Sequence, residues 1–510
     1  MAYTARKRKL NRILLGEPPR VLDLFAGCGG ISLGFQAAGF LIAGAIERDK
    51  LAAKTFAHNF YCSSSYEMAK NRDIENTHPM TLVKELGIGP SVKSAIDVIV
   101  GGPPCQAYSR VGRAKLREIG NETDAHLTDS RASLYLKYLE YVEAFHPLVL
   151  LMENVPDILN HGGRNIAAEI CDSLSLIGYR CVYTVLNAVH YGVPQTRDRL
   201  FLMALAQEIG EEPWFPTPTH WMQLPPGYQS FRQRAIRGKR LDNQDSYIVL
   251  PPEPSSDLRP AVTVQQALDD LPSLTHHLKG KLQPGVKKFD ELLQYPKNKA
   301  ESYYSWLMKN WPGFENHIGV RDHVLRYLPR DYPIFRRMNP GDQYPEAHKH
   351  ALAILDEKLQ DLDPENPCLV QGSPEYEELK KRTVPPYDTS KFPNKWRKLE
   401  PDRPARTLMA HLSRDGYSHI HYDSNQARTI TPREAARLQS FPDGFVFVGS
   451  MQSAFSQIGN AVPPLLAYRL AQVVAEALGV TPRELPMTVS DAVLPSGRAG
   501  DNRVVQETTS

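Results

Sequence analysis

Over the first two hundred positions, apolar residues fall into short, nearly unbroken runs separated by amphipathic stretches. Val21–Phe25, Leu41–Ile46, Ile96–Val100, Leu148–Met152, Cys181–Leu186 and Leu200–Ala204 have strand length and a predominantly apolar make-up. That is the pattern of strands buried on both faces of a largely parallel sheet. Ile31–Ala38 and Ser133–Phe145 have helical spacing instead; in the second, Leu134, Tyr138, Tyr141, Val142 and Phe145 share one face. Strands alternating with helices predict an α/β, doubly wound, mostly parallel sheet over 19–213. From Trp214 to His220 (Trp-Phe-Pro-Thr-Pro-Thr-His) the pattern dissolves. Residues 214–425 are rich in proline, aromatic and charged residues, and are too long for a loop. They predict a second, smaller, irregular domain. Regularity returns over 426–480. Thr431-Pro432-Arg433-Glu434 combines an N-cap, a proline at the first helical position and a glutamate that closes a capping box. A further helix is expected from Pro463-Pro464 to Leu478. Residues 481–510 read as a disordered tail, and 1–18, with Arg6, Lys7, Arg8, Lys9 and Arg12, as a solvated basic tail.

Composition narrows the class without naming it. The 510 residues are 42% hydrophobic and 23% charged, ordinary for a soluble chain of two or three domains. A net charge of +3 does not announce nucleic acid, so any basic surface is local. Phe231–Arg240 has five basic residues in ten and reads either as a solvated face or as a phosphate-binding stretch. The six cysteines (Cys28, Cys62, Cys105, Cys171, Cys181, Cys368) form no CxxC pair. That argues against a zinc site or a disulfide framework and suits a reducing compartment. No apolar run reaches the roughly 18 residues of a membrane span.

The chemistry concentrates at strand ends. Gly101-Gly102-Pro103-Pro104-Cys105-Gln106 follows the run Ile96–Val100, so a buried strand delivers one cysteine onto a proline-stiffened loop. Asp23-Leu-Phe25-Ala26-Gly27-Cys-Gly29-Gly30 follows the first strand and opens a helix, the setting in which glycines admit a ligand to the backbone. Glu47 ends the second strand about 20 residues on, where a ribose-binding carboxylate sits in dinucleotide sites. Asp73 lies after the expected third strand position, placed for an adenine. This set alone fits either a nicotinamide cofactor or S-adenosylmethionine, although Phe-x-Gly-x-Gly is not the full dehydrogenase pattern. Met152-Glu153-Asn154-Val155 puts Glu153 at the same sheet edge as Cys105. Gln195-Thr-Arg197-Asp-Arg199 precedes another strand, and Gln457-Ile-Gly-Asn460-Ala-Val462 lies near the C-terminus.

In this order the motifs resemble those of the cytosine-5 DNA methyltransferase family: Asp23–Gly30, Glu47, Asp73, Gly102–Gln106, Glu153–Val155, Gln195–Arg199, Arg428–Pro442 and Gln457–Val462. Softer matches are Thr263–Pro272 and Trp396–Thr407, while His419-Ile-His421-Tyr422 departs from the commoner His-Pro. The resemblance implies a Rossmann-like, S-adenosylmethionine-dependent methyltransferase fold, with 214–425 as target recognition domain. It implies Cys105 as the nucleophile that attacks cytosine C6 and pushes electron density to C5. Glu153 would bind the base edge at N3 and the exocyclic amine. Arg197 would hold the base oxygen O2 and orient Glu153. Substrate contacts are expected from Gln106, Ser109, Gln195 and Arg199, the last supporting the loop or a phosphate. Cofactor contacts are expected from Phe25, Ala26, Gly27, Gly29, Gly30, Glu47, Asp73, Ile74, Pro104, Leu134, Asn460 and Val462. A C5 inside a stacked duplex is unreachable, so the base is flipped out, and Tyr108–Lys115 looks like the loop that closes over it. The implied partners are double-stranded DNA and a separately acting cognate restriction endonuclease, with no membrane, no metal and a monomeric chain. No long regulatory region precedes the first strand, which suits a bacterial, archaeal or phage enzyme in the cytoplasm, at the nucleoid. The alternatives are an RNA cytosine-5 methyltransferase and an inactive nucleic-acid-binding relative. Intact Cys105, Glu153 and Arg197 argue against the second. A nicotinamide dehydrogenase leaves the Pro-Pro-Cys-Gln and Gln195–Arg199 motifs unexplained.

Overall fold

The computed structural model describes residues 2–61, 70–104, 133–161, 163–226, 228, 247–285, 289, 291–361, 371–414 and 416–487. Its centre is a six-stranded sheet of β1 (Arg20–Leu24), β2 (Leu41–Ile46), β3 (Val98–Gly101), β4 (Val149–Asn154), β5 (Tyr179–Asn187) and β6 (Asp198–Ala206), in the order β2-β1-β3-β4-β6-β5. Neighbours from β2 to β4 run parallel, whereas β6 is antiparallel to both β4 and β5. A short connection links β5 to β6 with no crossover helix, so they can pair only as a hairpin. Every β3 residue is buried, as its unbroken apolar run requires. The helices used below are α1 (Ala2–Leu14), α2 (Gly30–Ala37), α3 (Lys50–Phe60), α4 (Ser133–Phe145), α5 (Pro432–Leu438), α6 (Met451–Asn460) and α7 (Pro464–Ala477). Among the described residues, no helix is long and apolar enough to cross a membrane.

The apolar core does not divide where composition changes. Val264, Leu268, Trp311 and Val320, and then Leu399 and Leu408, all belong to the main core, together with Val100, Leu151 and Phe201 of the sheet. A separate core gathers Phe335, Tyr344, Trp396 and Ile420, with Trp396 stacked on Tyr417 at 4.6 Å between ring centroids. The independently cored part of the insertion is thus about 332–396 together with Ile420 and Ala427, while the stretch before it and 399–412 within the insertion are built into the sheet domain.

The chain re-enters that domain through buried arginines. The capping box at Thr431 forms as expected: Glu434 N donates to Thr431 Oγ1 and Thr431 N donates to Glu434 Oε2. Glu434 also receives both Nη atoms of Arg428, each at 2.7 Å, which hold its carboxyl well below the usual range despite burial. Arg433 donates to both oxygens of Asp322 (2.8 and 3.1 Å). Arg437 forks onto Asp443 (2.6 Å twice) and Asp270 (3.0 and 3.1 Å).

Residues 2–14 and 481–487 are packed against the sheet domain, which their composition did not suggest, while 488–510 lie outside the described residues. The expected solvated tail at 1–18 is instead helix α1, packed at the amino-terminal edge of the sheet. Lys9 is buried and its ammonium donates to the carbonyls of Phe145 (2.7 Å), His146 (3.2 Å) and Ile96. Arg12 pairs with Asp97, and Arg6 with Glu208. The cations that suggested a solvated tail are its anchors, because fixed carbonyls and carboxylates satisfy them. At the other end, residues 481–487 dock where a disordered tail was expected: Arg483 N donates to Ala38 O and Leu485 N to the Tyr468 hydroxyl. Gly479 lies directly against Leu14 of α1.

Removing Arg437 takes the paired guanidinium from two buried carboxylates, leaving Asp270 with Lys309 (2.8 Å) and Asp443 with the Tyr295 hydroxyl and a more distant Arg433 (3.8 Å), so Arg437→Leu should lower stability by about 3 kcal/mol in urea unfolding. Adding Asp270→Asn and Asp443→Asn to that variant should recover part of the loss. An unchanged midpoint in the single variant would show that the network carries no stability.

Candidate active site

Four parallel strands end side by side, and a cleft of about 760 Å³ opens at their carboxyl edge. This is where a doubly wound sheet places its ligands. Its first wall is the turn after β1. Phe25 has a left-handed φ of 59° and Gly27 one of 56°, a strained turn of the kind found at ligand clamps. Glu47, at the end of β2, pins this turn: Gly27 N donates to Oε2 at 2.8 Å and Asp49 N to Oε1 at 2.6 Å. Burial raises the Glu47 pKa, and those amides oppose it. Opposite, Gly30 faces the Val462 carbonyl so closely that a Cβ would lie 2.3 Å from it, which brings α2 against the α6–α7 junction. Asp23 lies beneath. Its Oδ2 accepts the Ser32 hydroxyl at 2.7 Å, while Oδ1 is buried with no hydrogen-bond partner. Burial pushes the Asp23 carboxyl up to about 7; the Ser32 bond opposes this and the Glu47 charge adds to it.

The second wall is built from β3, β4 and β6. Gly101 has a φ of 141°, and a Cβ there would meet the Leu24 carbonyl at 1.9 Å. A Cβ on Gly102 would lie 2.7 Å from the Glu153 carbonyl and 2.8 Å from its carboxylate. Both glycines are therefore required by close approach as well as by the turn. Asn154 Nδ2 donates to the Pro103 carbonyl at 2.7 Å, fixing the strand-exit loop from β4. Glu153 is held by Arg199, whose Nε stands 2.8 Å from Oε1. Burial raises the Glu153 pKa, and Arg199 and then Arg197 oppose it. The site thus presents a carboxyl able to share a proton, clamped by a guanidinium, beside a stiff backbone turn.

Of the residues singled out from sequence, Phe25, Ala26, Gly27, Gly30, Glu47, Pro104, Glu153, Arg199, Asn460 and Val462 line this one cleft. Cys105, Gln106, Ser109 and the Tyr108–Lys115 loop lie outside the described residues. Arg197 does not line the cleft formed by the described residues. It is fully buried and donates to the carbonyls of Leu408 (2.6 Å), Gly459 (2.9 Å) and Ala461 (3.1 Å). A guanidinium there caps the carboxyl end of α6, where carbonyls lack helical partners. Gln195 is also buried away from the cleft: its amide donates to Leu438 O at 3.2 Å and its oxygen accepts Leu408 N at 2.8 Å. Gly29 faces the ring of Phe60, Ile74 is core, and Leu134 packs partly buried beside that core. The Asp73 carboxylate caps its own turn by accepting Glu75 N at 3.1 Å. None of these four lines the cleft formed by the described residues. Sequence reasoning assigned no role to Asp23 or Asn154, although both lie inside quoted motifs. Ser453 and Ser456, on the cleft-facing side of α6, gave no signal. Among the described residues, no group of His, Cys, Asp and Glu could hold a metal ion.

The family model for C-5 cytosine-specific DNA methylases matches residues 19–476. A protein of Oceanobacillus iheyensis whose name assigns it as a type II methyltransferase is 40% identical over 456 residues, covering 89% of this chain and 95% of its own. The type II methyltransferase M.AgeI of Thalassovita gelatinovora is 30% identical, covering 90% of this chain and 100% of its own. A solved structure of a DNA modification methyltransferase encoded within an Escherichia coli prophage superposes with a TM-score of 0.56 at 22% identity. It covers 90% of this chain and 99% of that one, and shows the shared fold.

Two predictions test this geometry. Gly102→Ala should push the Glu153 carboxylate aside and lower turnover by about 100-fold while cofactor affinity stays within a few-fold; equal losses in both would place Gly102 in cofactor binding. An unfolded aspartate titrates near 4, whereas Asp23 in the folded chain titrates at about 7. Across that window the folded state holds the extra proton, so Asp23 costs stability increasingly as pH rises from about 4 to 7. Without cofactor, Asp23→Asn should therefore gain on the wild type over that window, by on the order of 3 kcal/mol at pH 8. Parallel stability profiles against pH would refute the buried, unpaired carboxyl.

Proposed function

The chain belongs to the C-5 cytosine-specific DNA methylase family and is a DNA (cytosine-5)-methyltransferase; we propose that it acts through the cleft at the carboxyl edge of β1–β4, on a cytosine turned out of a specific duplex sequence. The family uses S-adenosylmethionine, which supplies an electrophilic methyl group when bound. The residues present fit it. Phe25, Ala26, Gly27, Gly30, Glu47, Asn460 and Val462 form one half of the cleft, and the unpartnered Asp23 Oδ1 suits a cationic ammonium. Pro103 and Pro104, which precede Cys105 in the chain, line the same cleft.

The other half handles the base. Cys105, as thiolate, forms a bond to cytosine C6 and drives density to C5. Glu153 shares its proton with the pyrimidine edge at N3, which stabilises the added electron pair. Its burial-raised proton affinity suits that task. Arg199 takes the role first given to Arg197: it orients Glu153 and is placed for the base oxygen O2. Arg197 supports the cleft from behind by holding the end of α6. After C5 gains its methyl group, loss of the C5 proton lets the S–C6 bond break, returning Cys105 to thiolate. Target recognition falls to the insertion 214–425, where the separate core built mainly from 332–396 supplies a rigid platform. Kinship with proteins named type II methyltransferases supports a role in marking DNA against a separately acting endonuclease.

The observation that carries this reading is the Glu153–Arg199 pair standing beside the proline-stiffened turn that leads to Cys105. Cytosine-methylation sequencing of a methylation-free host expressing the wild type tests it, with Cys105→Ala as control. The expected result is C5 marks in one short motif, absent from the control. Marks that persist in Cys105→Ala would overturn the mechanism. Unmarked DNA together with labelled methyl transfer to RNA would overturn the substrate.

A further inference from the structure

The turn that joins α6 to α7 borders the cofactor half of the catalytic cleft. Its amides can be accounted for one by one. Ala461 N donates to Ile458 O at 3.2 Å, and Leu465 N donates to the Ser440 hydroxyl at 3.1 Å. Pro463 and Pro464 carry no N–H. The Val462 amide is the one left over: it has no hydrogen-bond partner among the described residues, although Val462 is buried. A buried backbone donor without a partner is costly, so this one points to a partner that arrives with a ligand.

The direction of that amide is set from behind. In a trans peptide the carbonyl of one residue and the N–H of the next face opposite ways, and no cis peptide occurs among the described residues. The Ala461 carbonyl accepts two donors, Gln439 Nε2 at 2.6 Å and Arg197 Nη2 at 3.1 Å. Gln439 and Arg197 are fully buried and neither lines the cleft formed by the described residues, whereas Ala461 and Val462 both do. Holding the carbonyl toward the interior therefore turns the Val462 N–H toward the cleft. Gln439 is itself kept in one orientation: Gln195 Nε2 donates to its Oε1, which leaves its own Nε2 for Ala461. The next residue, Ser440, takes a left-handed φ of 64° and caps the start of α7, so one elbow grips both sides of the turn.

We propose that Gln439 is a positioning residue for the cofactor: by holding the Ala461 carbonyl it aims the Val462 amide at the carboxylate of the cofactor's amino-acid chain. The proposal deepens the cofactor reading of this cleft and rests on it. A lone N–H wants an acceptor, and a charged acceptor makes the stronger bond. The ammonium on the same carbon as that carboxylate suits Asp23, so the two holders must be neighbours. They are: Asp23 accepts the Ser32 hydroxyl at 2.7 Å, and Gly30, two residues before Ser32, lies directly against the Val462 carbonyl. Gln439 touches no ligand in this arrangement. It acts through the peptide it orients.

The test is calorimetry on the full chain with two compounds, S-adenosylhomocysteine and 5′-methylthioadenosine. The second keeps the adenosine and the sulfur but lacks the amino-acid chain. Gln439→Met keeps the length of the side chain and removes its donor. It should weaken S-adenosylhomocysteine about tenfold and leave the affinity for 5′-methylthioadenosine unchanged. A merely structural role would move both compounds together, so an equal loss for the two overturns the proposal, as does wild-type affinity for both. Gln439→Asn retains a buried amide but draws it back by one methylene. It should give the same split between the compounds, and it carries the test where the Met variant does not fold. A wild-type chain that binds neither compound overturns the cofactor reading itself, and this proposal with it.

Discussion

A chain that leaves its sheet and returns some two hundred residues later must be locked where it re-enters. Here the lock is ionic and dry. Arg428, Arg433 and Arg437 lie within ten positions of one another, are buried, and meet Glu434, Asp322, Asp270 and Asp443 through paired hydrogen bonds. Burying such charges is costly, and they persist only when nearly every donor and acceptor is satisfied. The carboxylates come from two places: Asp270 and Asp322 from the insertion, Glu434 and Asp443 from the returning segment. The pairs therefore fix the register of insertion against domain in a way that apolar contacts alone would leave slack.

The catalytic geometry inherits that rigidity. α5 carries two of these arginines, Arg433 and Arg437, and α6 follows it in the chain. Arg197 then ties the end of α6 to the segment before β6. One residue pair further along, Arg199 turns to Glu153. A single five-residue motif thus holds the cofactor half of the cleft with one guanidinium and the base half with the other. Arg197 lines no part of the cleft formed by the described residues, yet it fixes the end of the helix that does.

Much of this was legible in the residues. Apolar runs placed the strands to within a residue or two, and the Thr431 capping box formed as written. The glycines at 101 and 102 were legible as a turn, but their clash partners, Leu24 and Glu153, are contacts across the sheet that no local pattern encodes. The two arginines of the Gln195–Arg199 motif were harder. Two-residue spacing suggests a shared face, but Arg197 precedes the strand and its side chain follows a different path. Helix α1 was illegible for a related reason: cations buried against carbonyls look, in sequence, like cations in water. The division of the insertion was hidden as well, because its flanks join a core whose other residues lie hundreds of positions away.

Gly479 resting on Leu14 closes the outline of the molecule. The sheet domain is, in effect, a ring: the turn after its last helix meets its first helix, and the stretch with a core of its own interrupts the sequence between them. In a ring the place where synthesis starts has no mechanical meaning. The stretch with a core of its own can change length while the ring keeps its circumference, so what it does and what the cleft does are mechanically separable.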